Sequence, residues 1–170
     1  MNDRASQDFA YWNFSKTDLR GQDLSGAQLQ FATFSGAQLQ GACLRHADAR
    51  GAVFDRADLT AADLSGALLQ GVRLQQATLC RASLRHALML SAHLEQAKVH
   101  GADFTGANLE WAWVHGVDFV EATVVCALFM NVRGLTEAMR QVIEARQGIT
   151  GERVMILGRE LYEGRTGEGL

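Results

Sequence analysis

The 170-residue chain contains no proline. At the usual share of about 5%, roughly eight prolines are expected in a chain of this length. Proline has no backbone N–H and is therefore excluded from positions whose amide serves a β-ladder. The absence of proline is therefore expected for a chain built of continuous β-ladders.

Disulfides and membrane segments are missing as well. Cys43, Cys80 and Cys126 are too few and too widely spaced for a disulfide framework. We therefore expect a reducing, cytoplasmic setting. No run of 18 apolar residues could span a bilayer, and the N-terminal sequence MNDRASQDF lacks the apolar segment of a signal peptide. We expect no membrane as a partner.

The chain has no strong charge of either sign. It carries 16 basic and 19 acidic side chains, for a formal net charge of −3. Nucleic-acid binding needs a clustered basic surface, which this composition does not provide. We therefore expect no nucleic acid as a partner.

Signatures of catalysis and metal binding are also missing. A metal site needs three or four convergent ligands, and catalysis needs a pocket that holds a nucleophile and an oriented base. We expect no metal, no cofactor and no enzymatic activity. An enzyme would require a cleft between the C-terminal tail and the repeats, lined by groups such as Glu95 and His115. The groups that come nearest to a site are the column Asp55, Gln75, Glu95 and His115, the neighbours Cys80 and His100, and the more distant His46 and His86.

What the chain does contain is a five-residue repeat that runs from Phe9 to Phe129. The central residue is Leu, Phe, Val or Met in 24 of 25 blocks, and Ala49 is the exception. The residue two positions earlier, here called the alanine position, is alanine in 19 of the 25. A period of five fits neither an α-helix nor a β-strand. It predicts a chain that turns a corner once per block, so that four blocks close a square coil and stacked coils form a solenoid.

The composition of each block agrees with such a coil. The large central residues would stack in columns along the axis, and the alanines would fill the remaining interior. Ten of the 17 glycines lie two residues after a centre, where they would relieve strain as the backbone bends. Backbone groups would pair between coils that lie about 4.8 Å apart.

Several blocks resemble the pentapeptide-repeat family, whose consensus reads A(D/N)LXX. The best matches are GADFT and GANLE at 101–110 and RADLT and AADLS at 56–65. The resemblance covers roughly residues 6–130 and implies an all-β solenoid, a right-handed quadrilateral β-helix. The first coil departs from the pattern and is expected to be distorted or to act as a cap. Its alanine positions hold Gln7, Trp12, Thr17 and Gln22.

A tail follows the repeats, which divides the chain into a β-helix at 6–130 and a C-terminal segment at 131–170. Gly134 breaks the column of central residues, and Thr136 is placed as the N-cap of a helix that runs to about Arg146 and ends at Gly148. Residues 154–157 are either a strand or a second packed turn. An open solenoid end needs a cap, which predicts an α-helical cap here. The alternative is that the tail mediates dimerisation, as similar tails do in some family members. The apolar helical face consists of Leu135, Met139, Val142 and Ile143.

Assigning the blocks to four faces by a twenty-residue period maps the exterior. Face 1 has the central residues Phe9, Leu29, Ala49, Leu69, Met89, Leu109 and Phe129, and faces 2, 3 and 4 follow in chain order. Its outward positions are rich in large apolar residues, and a contiguous apolar set usually marks an interface. The alternative is that the tail folds back over it. The proposed contact residues are Leu68, Leu88, Leu90, Trp111, Leu128 and Met130, with Tyr11 and Phe31 also outward.

These patterns favour a non-enzymatic protein–protein interaction scaffold or adaptor, whose partner is a second copy or a foreign protein of unknown identity. The resemblance implies an alternative. Some family members protect DNA gyrase from quinolones or a peptide toxin, apparently by resembling duplex DNA. A DNA mimic needs a strongly negative rod, because the duplex carries one charge per about 1.7 Å. Residues 1–130 carry 13 acidic and 10 basic side chains, so the topoisomerase inhibitor or protector ranks second.

Overall fold

A computed structural model describes residues 7–156 and 159–163, and the repeats form a right-handed quadrilateral β-helix. The residue before each centre, here called the leading residue, bridges in parallel to the leading residue twenty positions later. This series runs from Asp8↔Gln28 to Trp113↔Arg133. The twenty-residue square coil predicted from the sequence is therefore confirmed.

Four of the five amides in a typical block serve backbone hydrogen bonds. In the block around Phe34, the leading residue Thr33 donates to the preceding coil (2.8 Å) and Phe34 donates to Val53 of the next coil (2.6 Å). The corner residue Gly36, two after the centre, donates to Asp55 of the next coil, and Ala37 closes the turn on Phe34. Such dense use of N–H groups is the physical reason why proline is excluded.

The fifth amide, on the residue after each centre, explains the consensus Asp or Asn at the leading position. The N–H of Ser65 donates to the Asp63 carboxylate (2.9 Å), and that of Thr105 donates to Asp103 (2.8 Å). The leading side chain thus accepts the one amide that the ladder leaves over, as short polar side chains do in turns.

The core consists of the central residues and the alanines, which are buried from Leu24 to Phe129. On face 2 the rings of Phe14, Phe34 and Phe54 stack with centroids 5.0 and 4.6 Å apart. Even Ala49, the one small central residue, is fully buried. The interior therefore has the narrow, layered packing that the repeat predicts.

The corner residues adopt left-handed backbone conformations. At some of these corners a ring from the preceding coil lies over a glycine, as Phe31 lies over Gly51 and His46 over Gly66. A Cβ on Gly66 would come within 2.6 Å of the imidazole of His46. Glycine at these corners therefore allows both the positive φ and the close approach of the ring.

The first coil keeps its ladder, so the expected distortion is absent. Phe9 and Phe14 donate to the second coil at 2.8 and 2.7 Å. Trp12 is exposed and packs edge-on against Phe9 (5.2 Å) and stacked on Phe14 (5.8 Å). The ring of Trp12 therefore lies outside the narrow interior that the alanines fill in later coils, in agreement with the capping alternative.

One block interrupts the regular ladder within the described repeats. Thr78 bridges Lys98, but no bridge joins Lys98 to Asp118, and Gly101 donates to Glu121 instead of the residue before it (3.2 Å). Val117 occupies the alanine position of this block. Val72 also occupies an alanine position, but the ladder of its block is intact. Only Val117 coincides with a local shift of the ladder.

The tail adds one helix and two short strands to the end of the solenoid. Strand β1 (Leu128–Met130) belongs to the last repeat, helix α1 spans Glu137–Ala145, and strands β2 (Ile149–Ile156) and β3 (Arg159–Glu163) follow. β2 pairs in parallel with β1 and antiparallel with β3.

The predicted C-terminal helix is confirmed, with the Thr136 hydroxyl accepting from the Met139 amide (3.2 Å). Of the two alternatives for residues 154–157, a strand holds as far as Ile156. Leu157 and the first and last residues of the chain lie outside the described residues.

The C-terminus of α1 differs from the sequence-based expectation. Gln147 has φ 64, whereas Gly148 follows it and donates to the Ile143 carbonyl (2.9 Å). Gln147 donates to Glu144 (3.0 Å), which completes the paired hydrogen bonds of a Schellman motif. The left-handed residue is therefore a glutamine, and Gly148 is required for close packing beside Ile143 and Val124.

This arrangement predicts that Gln147→Gly stabilises the protein by about 0.5–1 kcal/mol. Glycine removes the left-handed strain of an L-residue but adds entropy to the unfolded chain, which leaves a small net gain. Arg146→Gly is the control, because Arg146 has φ −102 and gains nothing from glycine. Urea denaturation measures both variants, and a loss of stability in Gln147→Gly would contradict the assignment.

Candidate functional site

Exposed apolar side chains concentrate on face 1 and its corner. Six large apolar side chains are exposed among the described residues, and four of them belong to this face. The four are Tyr11 (76%), Phe31 (56%), Leu88 (37%) and Trp111 (49%). Trp12 and Val120 are the other two, at the first coil and on face 3. A shared face is what distinguishes these four from isolated exposed residues, which have no special meaning.

Leucines occupy the middle of face 1. Leu68 bridges Leu88 in the next coil, and Leu90 follows two residues after Leu88 on the same face. Leu68 and Leu90 are half-buried. The next leading residue, Asn108, interrupts the leucines with a polar side chain whose oxygen accepts the Glu110 amide (2.9 Å).

The two contact residues predicted in β1 differ from the others. Leu128 is half-buried, but Met130 is only 1% exposed and is part of the core. Met130 is paired with Gly151 of β2, which adds a further strand beside the last repeat. The sequence-based expectation that Met130 faces solvent is therefore wrong, because the tail extends face 1 by one strand.

Apart from Met130 at its end, the described part of the tail leaves face 1 uncovered. Within α1, Ile143 is fully buried, and Leu135 and Met139 pack against the core. Val142 is half-buried. The helix therefore turns its apolar face to the repeats, while Leu88 and Trp111 stay exposed.

An aromatic pair extends the apolar surface toward the first coil. The rings of Tyr11 and Phe31 stack with centroids 5.4 Å apart at an interplanar angle of 17°. Both residues are corner residues of face 1, and Phe31 in turn lies over Gly51. The sequence placed both rings outward without joining them. The signal that could have found the pair is their separation by one twenty-residue coil.

Ion pairs dominate the charged surface of the rod. The guanidinium of Arg20 bonds Asp18 (2.6 Å), and its hydrogen bonds lower the pKa of that carboxyl to about 2. Hydrogen bonds from Arg50 likewise hold the pKa of Asp48 below its ordinary value. Arginine thus partners many of the carboxylates, which divides the negative charge into neutralised pairs. The others are Arg45–Asp63, Arg73–Asp55 and Arg85–Asp103.

The groups nearest to a chemical site are spread along the faces as columns. Asp55 accepts the Gln75 amide (3.1 Å), and Glu95 contacts the imidazole of His93 (3.3 Å) rather than that of His115. The described chain holds no cluster of three or more His, Cys, Asp or Glu side chains that could bind a metal.

The remaining candidate pairs also hold few contacts. Cys80 and His100 border the same shallow cleft, and His46 and His86 are separated by the intervening Gly66 coil. The three cysteines are unpaired. At nine residues α1 is too short to cross a bilayer, and the described chain has no other helix that could.

A stacked column on face 2 was not anticipated from the sequence. The His93 and Trp113 rings stack at 5.6 Å, and the Arg133 guanidinium lies 4.5 Å from the centre of the indole. All three are leading residues of successive coils. Because both faces of the indole are occupied, this column stabilises the last coils and offers no open stacking platform.

Several solved structures are similar to this chain. Full-length QnrB1, a plasmid-mediated fluoroquinolone resistance protein, is 21% identical over 81% of this chain and 88% of that one, with a TM-score of 0.40. A pentapeptide repeat protein of the Arabidopsis thaliana thylakoid lumen is 30% identical over 81% and 74%, with a TM-score of 0.32. HetL, involved in heterocyst differentiation regulation in the cyanobacterium Nostoc, is 22% identical over 76% and 85%, with a TM-score of 0.26. At these TM-scores the likenesses carry no information on this chain's partner.

Among curated proteins, none matches the chain significantly. The family model for pentapeptide repeats does match, in eight copies over residues 13–48, 34–76, 62–106 and 91–120. These ranges overlap and together span well over half of the chain, including the coils that form faces 1 to 4. The chain belongs to the pentapeptide repeat family.

Proposed function

We propose that this protein is a non-enzymatic scaffold or adaptor whose contact surface is face 1. The observation that carries the proposal is the concentration of four of the six exposed large apolar side chains on this face. Pentapeptide repeat proteins are in general structural or interaction proteins, which agrees with this assignment. The three free cysteines fit a reducing compartment, and we place the protein in the cytoplasm.

The rigidity of the rod is what makes such a face effective. Hydrogen bonds join every coil to its neighbours, and the exposed residues project from that fixed backbone. Tyr11 and Phe31 further restrain each other by stacking. Because little ordering entropy remains to be lost, a modest apolar area can support specific binding. Aromatic residues such as Trp111 are the usual anchors of such contacts.

Mimicry of duplex DNA is the alternative function, with a topoisomerase as the partner. It requires a continuous negative surface, whereas Asp18, Asp48 and Asp103 are each paired with an arginine. The mixed charge favours the scaffold over this alternative. Capture of bound proteins from a lysate of the native host separates the two, since stoichiometric recovery of DNA gyrase or another topoisomerase would support mimicry and contradict the scaffold.

We predict that Leu88→Lys weakens association by at least about tenfold without unfolding the rod. Leu88 lies near the middle of face 1, and a lysine there would bury a charge in an apolar contact. The slot itself tolerates a long basic side chain, because Arg73 occupies the same leading position on face 2 and keeps its bridges to Val53 and His93. The measurement is the Kd of the captured partner, or of self-association by sedimentation if the partner is a second copy.

Gln38→Lys is the matched control. Gln38 is an exposed leading residue on face 3, opposite face 1, and it bridges Asp18 and Asp58, so a lysine there meets no like charge. Both variants add one positive charge to the same kind of slot. Equal weakening by the two variants, or unchanged binding in Leu88→Lys, would rule out face 1 as the contact surface.

A further inference from the structure

A cleft of about 420 Å³ lies on face 2, away from the apolar surface of face 1. It lies at the corner of the first to fourth coils, with Gly36 among its lining residues. Its other lining residues are Lys16, Ser35, Asp55, Arg56, Arg73, Gln75 and Gln76. No apolar side chain lines it, which sets it apart from an ordinary packing defect.

The charge of this cleft is opposite to that of the chain. Lys16, Arg56 and Arg73 contribute three positive charges and Asp55 one negative charge, for a net charge of +2, whereas the whole chain carries −3. Because Arg73 is paired with Asp55, the net charge left on this surface comes from Lys16 and Arg56, and a bound anion would offset it.

Hydrogen bonds hold the Arg56 guanidinium in place. Its Nε donates to the Gln76 side-chain oxygen (3.1 Å), and the Gln76 amide in turn donates to Gln96 (3.2 Å). Gln76 thus bonds Arg56 on one side and Gln96 on the other, and it holds the Arg56 guanidinium by its Nε only. The terminal nitrogens of Arg56 make no hydrogen bond to the described residues and are available as a paired donor for an oxyanion.

Arg73 is fixed from the other side of the cleft. One terminal nitrogen contacts the Asp55 carboxylate (2.5 Å) and the Gln75 side chain (3.4 Å). The second oxygen of Asp55 accepts the Gln75 amide (3.1 Å). Both carboxylate oxygens are thus engaged within the protein, which lowers the repulsion that Asp55 would exert on an anion.

Gly36 lies between the two flanking cations. Lys16, Gly36 and Arg56 are corner residues of successive coils on this edge, so Lys16 and Arg56 start about 10 Å apart along the rod. The side chain of Lys16 passes beside Gly36, with its Cγ 3.7 Å from where a Cβ would lie. Arg56 extends from the opposite side of Gly36 toward Gln76, and both cations line the same cleft, which has room for one tetrahedral anion.

From this geometry we infer that the cleft binds phosphate, either free or as the terminal group of a small phosphate monoester. Lys16 supplies a point charge, Arg56 a bidentate fork and Ser35 a hydroxyl donor, which is the donor set that phosphate oxygens require. The site is independent of the scaffold function, because it lies on a different face and uses none of the apolar contact residues.

The test is a titration of the full chain with inorganic phosphate at low ionic strength, followed by phosphorus NMR and calorimetry. We expect saturable binding at millimolar or lower concentration. Arg56→Gln and Lys16→Gln are each expected to weaken it by about tenfold, as loss of one charge-assisted contact implies. Both side chains are exposed, and thermal melts verify that the variants remain folded.

Arg81→Gln provides a closely matched control. Arg81 is also a corner residue with positive φ, and it lies beside Gly101 as Lys16 lies beside Gly36. The next corner residue on that edge is Glu121, where the phosphate cleft has Arg56. Removal of this arginine changes the net charge equally but should leave phosphate binding unchanged.

The outcomes separate the sources of the phosphate. Tighter binding of phenyl phosphate than of inorganic phosphate would assign the cleft to a monoester, and the reverse would assign it to the free ion. Absence of binding at 20-fold molar excess over about 1 mM protein would overturn the inference. Equal weakening by Arg56→Gln and Arg81→Gln would overturn it as well, because binding would then reflect net charge alone.

Discussion

Replacing Gly134 with alanine is expected to lower the free energy of unfolding by about 2–5 kcal/mol. Gly134 has φ +86, and a left-handed conformation costs an L-residue about 1–2 kcal/mol. A Cβ there would lie 2.7 Å from the backbone nitrogen of His115 and closer still to its side chain. Overpacking against a fixed backbone adds about 1–3 kcal/mol.

Gly71→Ala is the control for the backbone contribution. Gly71 has φ +65, and a Cβ there meets nothing within 4 Å. Corners with alanine or serine exist in this chain, at Ala61 and Ser91, both with φ 56. We therefore expect Gly71→Ala to cost only the conformational part, about 1–2 kcal/mol.

The second variant needed is Gly134→Ala with His115→Ala. Removal of the imidazole relieves the contact with the ring but leaves the contact with the His115 nitrogen. Most of the loss should therefore remain, as measured by urea denaturation followed by circular dichroism. Equal losses in Gly134→Ala and Gly71→Ala, or full rescue by His115→Ala, would show that the backbone contact is not what requires glycine.

Gly134 also illustrates how far the sequence predicts this fold. The loss of a large residue at this central position predicts the end of the repeats, and the ladder bridges run as far as Arg133. The close approach of His115 was not predictable, because it depends on where the chain leaves the regular coil. The same limit applies at α1, where the helix and its N-cap were predicted but the left-handed residue is Gln147 instead of Gly148.

The surface was less predictable than the core, and for a physical reason. Core positions follow from the five-residue period alone, whereas an outward residue can be covered by the tail, as Met130 is. The ion pairs were within reach of the sequence, since Arg73 and Asp55 are 18 residues apart and therefore lie side by side on adjacent coils. The same spacing joins Arg85 to Asp103. The 18-residue spacing could thus have predicted from the sequence that arginines and aspartates form neutralised pairs, which a count of charges alone does not show.

The largest effect in the repeats is expected from Phe54→Ala, which should cost about 3–5 kcal/mol. Phe54 is fully buried, and its ring stacks on Phe34 at 4.6 Å with an interplanar angle of 3°. The surrounding core residues are held by the backbone ladders, so little other packing can fill the cavity. The alanine would leave an empty layer within the solenoid.

Phe14→Ala tests the position along the rod, because Phe14 stacks on the same column at 5.0 Å but lies half-buried in the first coil. It should cost distinctly less, since its ring is already partly exposed to water. Phe54→Leu tests the effect of side-chain volume and should cost less than Phe54→Ala.

Amide exchange would show where along the rod the protection of Phe54→Ala is lost. In a solenoid each coil is stabilised mainly by its neighbours, so Phe54→Ala should expose the amides of the adjacent coils while those beyond Trp113 stay protected. Equal costs at Phe14 and Phe54, or uniform loss of protection along the rod, would mean that the coils unfold as one unit and that the column does not act locally.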